Sequence, residues 1–249
     1  MSEKFNLALI LTACIEPKNI PFLERKSVSE RLSDYKKSFN FWCKNNNIKK
    51  IIFIENSGYN LEYFKNLSKN YKNKEIEIIS SNTNNSFDRK LGKGFGEHLI
   101  LNTLFEKSQL IKKVDYFIKV SGRFYIKNYN KLYSELEYKR SDINLHIKDS
   151  FTYADSRVFS GSINFLENYV LKETSNINDT NNIFFENCLA KAAILAINDK
   201  LKFSHLETFP YVEGIIGTNN KRIKTNFWKR LRFFIIAKIK NYLFTNKKY

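Results

Sequence analysis

The residues of this chain best placed to do chemistry lie in one stretch, Gly92 to Asn128. Ser121-Gly122-Arg123 closes an apolar strand, Tyr116-Phe117-Ile118-Lys119-Val120. In open α/β sheets, ligands sit outside the carboxyl ends of the strands. Arg123 at that end, directly after Gly122, therefore reads as a ligand contact ahead of an ordinary surface arginine. Lys119 lies inside the apolar strand, either as an edge residue or as a second cation beside Arg123. Upstream, Gly92-Lys93-Gly94-Phe95-Gly96 precedes a helical run from His98 to Ile111. Free amides and the dipole at a helix N-terminus can cradle an anion there, or the glycines simply let the helix approach the sheet. No Lys-Ser/Thr follows in register, so the run is not a P-loop. Glu97 in the first helical turn is a cap or a partner for a ligand hydroxyl.

Other candidates are set at strand and helix ends. Thr12 and Ala13 end the first strand. Glu55-Asn56 ends the second, in a polar turn where asparagine is common on local grounds. Arg31 and Asp34 lie one helical turn apart, the spacing of an intrahelical ion pair. Asp155 and Arg157 sit in an aromatic setting, as an acceptor contact or a structural pair. Glu186 opens an apolar helix, where the dipole favours an acid in any case. His98, His146 and His205 are scattered, and no Ser-His-Asp or Cys-His arrangement is visible. The three cysteines, Cys14, Cys43 and Cys188, are widely spaced among apolar residues. They suit a reducing compartment rather than a disulfide framework, and no Cys/His spacing suits zinc.

The elements that must position these groups follow from pattern. Leu7 to Ile15 and Lys50 to Ile54 are continuous apolar runs, the signature of strands buried on both faces. Ser29 to Asn45 carries Leu32, Tyr35, Phe39 and Trp42 at helical spacing. Leu61 to Tyr71 is a short helix and Ile76 to Ser80 a third strand. The alternation through residue 128 predicts a parallel sheet. Beyond it the pattern is irregular: a helix over 129–138, a weak strand over 142–147, a strand or turn over 153–161, helices over 163–173 and 183–198, irregular or strand-like chain over 201–216, and a last helix over 225–244. With 249 residues, 43% apolar and 15% aromatic, the chain can bury one good core. The net charge of +17 predicts a polyanionic partner: nucleic acid, nucleotide phosphates or an anionic membrane face.

Taken together, Thr12-Ala13-Cys14-Ile15-Glu16-Pro17, Arg31 with Asp34-Tyr35, Glu55-Asn56-Ser57-Gly58, Gly92 to Glu97 and Asp115 to Val120 resemble small bacterial glycosyltransferases of the GT-A fold. These are encoded among surface-polysaccharide genes. The resemblance covers most of the first 190 residues. It implies an α/β, GT-A-like fold, a mostly parallel Rossmann-type sheet flanked by helices with an irregular C-terminal half. It implies one catalytic domain over 1–224, divided into a nucleotide-binding half (1–128) and an acceptor-side half (129–224), followed by a basic amphipathic helix (225–249). The implied reaction moves a sugar from a nucleotide-sugar donor to a growing capsule or lipopolysaccharide glycan. Thr12, Ala13, Glu55 and Asn56 would then meet base and ribose. Lys93, Gly94, Glu97, Lys119, Ser121 and Gly122 would surround the rest of the donor. Asp155 and Arg157 would touch the acceptor. Glu186, or failing it Asp155, would be the base that deprotonates the acceptor hydroxyl.

The sequence departs from that family at one telling place. Where the family carries an Asp-x-Asp motif on a divalent metal, this chain has Ser121-Gly122-Arg123. Mg²⁺ and Mn²⁺ need carboxylate oxygens. Arg123 instead offers a charge-assisted fork to a phosphate and can stabilise the leaving group. The expectation is a transferase without a metal cofactor, with Arg123 in the catalytic set.

From Thr218 to Tyr249 there are ten Lys/Arg and no Asp or Glu. On a helical wheel Phe227, Trp228, Leu231, Phe234, Ile235, Ile239 and Tyr242 share a broad face, as in helices that lie in the interface of an anionic bilayer or in a C-terminal helix docked on the core with its cations left solvated. No run of about 18 apolar residues exists to span one, and the N-terminus has no signal-peptide pattern. The expected location is the cytoplasmic face of the membrane, with a polyprenyl-linked or glycan acceptor and no nucleic acid. The alternatives are a nucleic-acid-binding or nucleotidyl-transferring protein, for which no motif is visible, and an inactive scaffold of the same fold.

Overall fold

The continuous apolar runs become the centre of a sheet. In the computed structural model, which describes residues 5–18, 23–148, 151–223 and 227–245, β1 (Leu7–Ala13) is buried along its whole length. It lies between β2 (Lys50–Glu55) and β4 (Tyr116–Ser121) and is parallel to both, with Leu9 opposite Ile51 on one side and Ile118 on the other. β3 (Glu75–Ser80) continues the parallel set beyond β2. Two short strands, β5 (Tyr125–Ile126) and β9 (Val212–Glu213), pair separately and antiparallel. On the other edge of the main sheet, β7 (Val158–Ser162) runs antiparallel to β4 and to β6 (Ile143–Asn144), and β8 (Phe203–Ser204) is parallel to β6. The seven-stranded order is β3-β2-β1-β4-β7-β6-β8. The expected α/β architecture, mostly parallel and flanked by helices, is what the chain adopts.

Alternation along the strands sends side chains to two separate cores. On one face Ala8, Ile10, Ile52, Ile54 and Phe117 pack with Leu101 and Leu104 of α3 (Gly92–Lys107) and Leu189 and Ala193 of α7 (Phe185–Asn198). On the other, Leu9, Leu11, Phe53 and Val120 meet Tyr35, Phe39 and Trp42 of α1 (Val28–Lys44), Phe64 of α2 (Glu62–Ser68), and Leu132 and Leu136 of α4 (Tyr129–Lys139). Phe39, Phe53 and Phe64 form a triangle of rings, with Phe53 stacked on Phe64 at 4.4 Å. Between β7 and α7 the chain is helical through α5 (Ile163–Phe165), a π turn over Leu166–Val170, and α6 (Leu171–Thr174).

The structure differs from the pattern-based expectation in three places. The expected helix from His98 starts six residues earlier, with the glycines inside it. Glu97 is therefore in its second turn. Residues 142–147 contribute the two-residue β6 and a single bridge from Ile147 to Ala154, while 153–161 hold a turn and then most of β7, as expected. The last helix, α8 (Phe227–Thr245), both docks and stays exposed. Ala237 is buried, Phe233 packs on His146 and Phe209, and the Asn241 side chain bonds His205 and Glu207. The opposite face is bare. Residues 225 and 226 of the expected helix lie outside the described residues.

Candidate active site

The carboxyl ends of β1 and β4 meet in a turn that is held from three sides. The Gly122 N–H donates to the Thr12 carbonyl at 2.8 Å, the Ser121 N–H to the Arg157 carbonyl at 3.2 Å, and the Phe124 N–H to the Ser121 carbonyl at 2.8 Å. From α1, the Ser38 hydroxyl and the Trp42 indole N–H both donate to the Phe124 carbonyl, at 2.6 and 3.0 Å. A Cβ on Gly122 would stand 2.7 Å from the Thr12 carbonyl oxygen, so only glycine lets the two strand ends close. Arg123 is aimed by this clamp.

The turn opens into a cleft of about 730 Å³. Thr12, Ala13, Asn56, Lys93, Gly94, Glu97, Lys119, Ser121, Gly122, Arg123, Arg157 and Glu186 all line it. Two cations dominate its floor. Arg123 donates from Nη1 to the Ile215 carbonyl at 2.9 Å and packs beside Gly217, where a Cβ would lie 2.8 Å from Nη2. Arg31 is buried. It donates from Nε to the Cys14 carbonyl at 2.9 Å, from Nη1 to the Arg25 carbonyl at 3.2 Å and from Nη2 to the Tyr35 hydroxyl at 3.2 Å. Among the described residues neither guanidinium has a carboxylate within ion-pair distance. Burial pulls the Arg123 pKa down, Tyr35 beside it opposes this, and the Arg31 cation adds to it. Paired guanidinium groups without an acid make a standing demand for an anion.

Arg31 corrects an expectation. The helical spacing predicts a pair with Asp34, but Arg25, from the loop before α1, takes both Asp34 oxygens, at 2.6 and 3.1 Å. Arg31 is left to point inward. The signal was present: Arg31 heads the buried stripe of α1 that continues through Tyr35, Ser38, Phe39 and Trp42, and a cation on an apolar face needs a reason.

Lys119 is not a free cation. Its Nζ lies 2.6 Å from Glu97 Oε1 and 3.1 Å from the Ser156 carbonyl, and the same Glu97 oxygen accepts from the Thr12 hydroxyl at 2.7 Å. Glu97 thus ties α3 to β1 and β4 at the floor of the cleft. Its second oxygen has no protein partner in the described contacts.

The glycine run has an anion of the chain packed against it. The Asp179 carboxylate lies over Gly92 and Gly94, where the backbone N–H groups of Lys93 and Gly94 act to lower its pKa. A Cβ on Gly92 would fall 2.0 Å from Asp179 Oδ2, and Gly92 has a φ of +84°. The segment carrying Asp179 packs so closely that a side chain at 92 is barred and one at 94 would be crowded. Asp179 thus occupies the approach to Gly92, and Lys93 and Gly94 form walls of the cleft. Burial raises the Asp179 pKa, against the pull of those N–H groups and Lys93.

Glu55 is likewise internal. It is fully buried, accepts from the Ile15 and Ser57 N–H groups at 2.9 Å, from Tyr59 N–H at 3.2 Å and from the Ser57 hydroxyl, and does not line the cleft. It fixes the loops after β1 and β2 rather than facing base or ribose. Burial raises its pKa. Neighbouring Asn56 does reach the cleft. It donates to the Gly96 carbonyl at 3.2 Å, while its Oδ1 is buried without a partner among the described residues.

On the far wall, Glu186 sits in the first turn of α7, and the Ser156 hydroxyl donates to its Oε1 at 2.7 Å. Asp155 and Arg157 are locked together through Nε and Nη2, at 2.9 and 2.5 Å. Burial would raise the Asp155 pKa, but Arg157 more than offsets it and holds the carboxyl below its ordinary value. A carboxylate so committed is a weak proton acceptor, which leaves Glu186 as the free carboxylate of this wall. A second, smaller cleft of about 490 Å³ adjoins the first. Tyr153, Arg157 and Glu186 line both, and Lys148, Phe209 and Phe233 close the outer one.

Ser121, Gly122 and Arg123 bring no carboxylate for a divalent metal, and Glu97 is bound to Lys119. Among the described residues there is no group of three or more His, Cys, Asp and Glu side chains placed to hold one.

No family model matches the sequence, and no curated protein does. Solved structures are similar at low identity. The inositol-1-phosphate CTP transferase from T. maritima is 11% identical, with a TM-score of 0.48, over 96% of this chain and 98% of that one. S. aureus TarS is 10% identical with a TM-score of 0.47, over 95% of this chain but 40% of that one. HddC from Yersinia pseudotuberculosis is 16% identical with a TM-score of 0.35, over 66% and 80%.

Proposed function

We propose that the chain is a metal-independent glycosyltransferase acting on a nucleotide-sugar donor and a bacterial surface glycan, of capsule or lipopolysaccharide type. The observation that carries this is the pair of guanidinium groups, Arg31 and Arg123, lining one cleft at the carboxyl ends of β1 and β4 with no carboxylate within ion-pair distance among the described residues. A nucleoside diphosphate supplies the missing charge. Asn56 and Ala13 border the end of the cleft suited to base and ribose. In the transfer step an acceptor hydroxyl oxygen bonds to the anomeric carbon while that carbon's bond to the diphosphate oxygen breaks. Glu186 takes the hydroxyl proton. The electron pair leaves with the diphosphate, and the two guanidinium groups stabilise its growing charge in place of a metal.

The test is thermal stabilisation by UDP, GDP, CMP and CDP, each in excess EDTA. A rise in Tm with one nucleotide, undiminished by EDTA, supports the proposal and names the donor class. A response that appears only with Mg²⁺ or Mn²⁺ refutes metal independence. No response to any nucleotide, with tight salt-sensitive RNA binding instead, refutes the transferase.

A further inference from the structure

Helix α8 meets the protein through a narrow stripe. Phe233, Ala237 and Asn241 follow one another at four-residue spacing along it, and Arg230 lies over the Tyr211 ring at 4.6 Å. On the opposite face Phe227, Trp228, Leu231, Ile235, Ile239 and Tyr242 are all exposed, Trp228 at 73%. Isolated exposed apolar residues are ordinary; a contiguous set on one helix face marks an interaction surface. Cations border this one. Lys238 rises within it, its Nζ 4.8 Å from the Phe234 ring, and exposed Arg232 flanks it. No acid occurs from Thr218 to the end of the chain. No described helix is long and apolar enough to cross a membrane.

We propose that α8 lays this face into the interfacial region of an anionic lipid bilayer. The charge decides the occupant. An apolar face studded with cations and free of acids repels a second copy of itself but matches anionic headgroups, with the Lys238 stem reaching past the rings toward phosphate. The docked stripe keeps the helix anchored to the protein while the other face is inserted. Phe233 of the same helix lines the smaller cleft, beside Arg157 and Glu186. On the proposed transfer activity, and only on it, a lipid-borne acceptor would enter there from the membrane side. Vesicle binding needs neither donor nor acceptor and is independent of that step.

The full chain is titrated with vesicles of phosphatidylcholine alone and of phosphatidylcholine with phosphatidylglycerol, followed by sedimentation and tryptophan emission. Trp42 is fully buried, so a blue shift reports Trp228. Sedimentation and a blue shift with the anionic vesicles, weak or absent with the neutral ones, are expected. The double variant R232E/K238E should lower partitioning at least about tenfold, since each cation near an anionic surface is worth about fivefold. I235D/I239D should abolish it, with Tm and nucleotide response as in the parent chain. Failure to bind anionic vesicles at low salt overturns the proposal. So does a concentration-dependent dimer, blue-shifted without lipid and broken by I235D/I239D.

Discussion

Arg25 Nε donates to Asp34 Oδ2 at 2.6 Å, and this pair is what leaves Arg31 for the cleft. With its one helical-turn acid already engaged, the Arg31 guanidinium bonds only carbonyl oxygens and the Tyr35 hydroxyl. A hydrogen bond to a charged group is worth about 1.5–3 kcal/mol. R31Q and R123Q are each expected to weaken nucleoside diphosphate binding by about tenfold or more, measured by calorimetric titration in EDTA. Because both act on one ligand charge, the double variant should lose less than the sum of the two. Wild-type affinity in R31Q would place the anion elsewhere.

The central strands were legible because they are buried on both faces, and their residues show it without help from the rest of the chain. Leu7 to Ile15 needs no partner to be read as a buried strand. Arg31 was not legible in the same way. Its helical neighbour Asp34 is a local partner, and only the fold brings Arg25 close enough to take it. Asp179 lies 87 residues from Gly92, and nothing local ties a loop aspartate to a distant glycine run. Glu55 was misplaced for a related reason. A polar turn at a strand end suits a ligand, but the backbone N–H groups of Ile15, Ser57 and Tyr59 also needed an acceptor there. The short strands β6, β8 and β9 carry too few residues for any period to register.

Asp179, buried beside the glycine run, gives a pH signature. Burial raises its folded pKa above that of an unfolded aspartate, about 4. Its protonated form is therefore favoured by folding, and this contribution is complete below the unfolded value and is lost as pH rises through the folded one. D179N keeps the shape of the side chain and cannot ionise. The Tm of D179N relative to wild type should therefore increase from acid to neutral pH, read by thermal melts across that window. A difference that moves the other way would mean that the helix N-terminus stabilises the carboxylate more than burial opposes it.

Gly122 closes the strand ends by contact, so its replacement should be costly. G122A places a methyl 2.7 Å from the Thr12 carbonyl oxygen, a backbone atom that cannot rotate away. Overpacking of this kind costs about 1–3 kcal/mol, or a Tm loss of about 2–4 °C per kcal/mol for a chain of this size. Nucleotide affinity should fall with it, because the same turn aims Arg123. A stable G122A with parent affinity would show that the turn is not the clamp described.

On the proposed transfer reaction Glu186 and Asp155 are the two candidate bases, and their environments separate them. Asp155 is held ionised and paired by Arg157, whereas Glu186 has one hydroxyl donor, Ser156, and faces both clefts. A positioned general base contributes about 10²–10⁴ in rate. E186Q, which keeps the Ser156 contact but cannot take a proton, should lower kcat by about that factor while nucleotide affinity stays within about twofold. D155N should instead loosen Arg157, lower Tm and raise the acceptor KM, with a smaller change in kcat. Steady-state kinetics with varied acceptor, beside nucleotide titration of each variant, distinguish the two. If E186Q turns over near the parent rate, or if D155N alone carries the loss of kcat, the assignment of the base is wrong. The Ser156 hydroxyl then serves the folding of α7 rather than proton transfer.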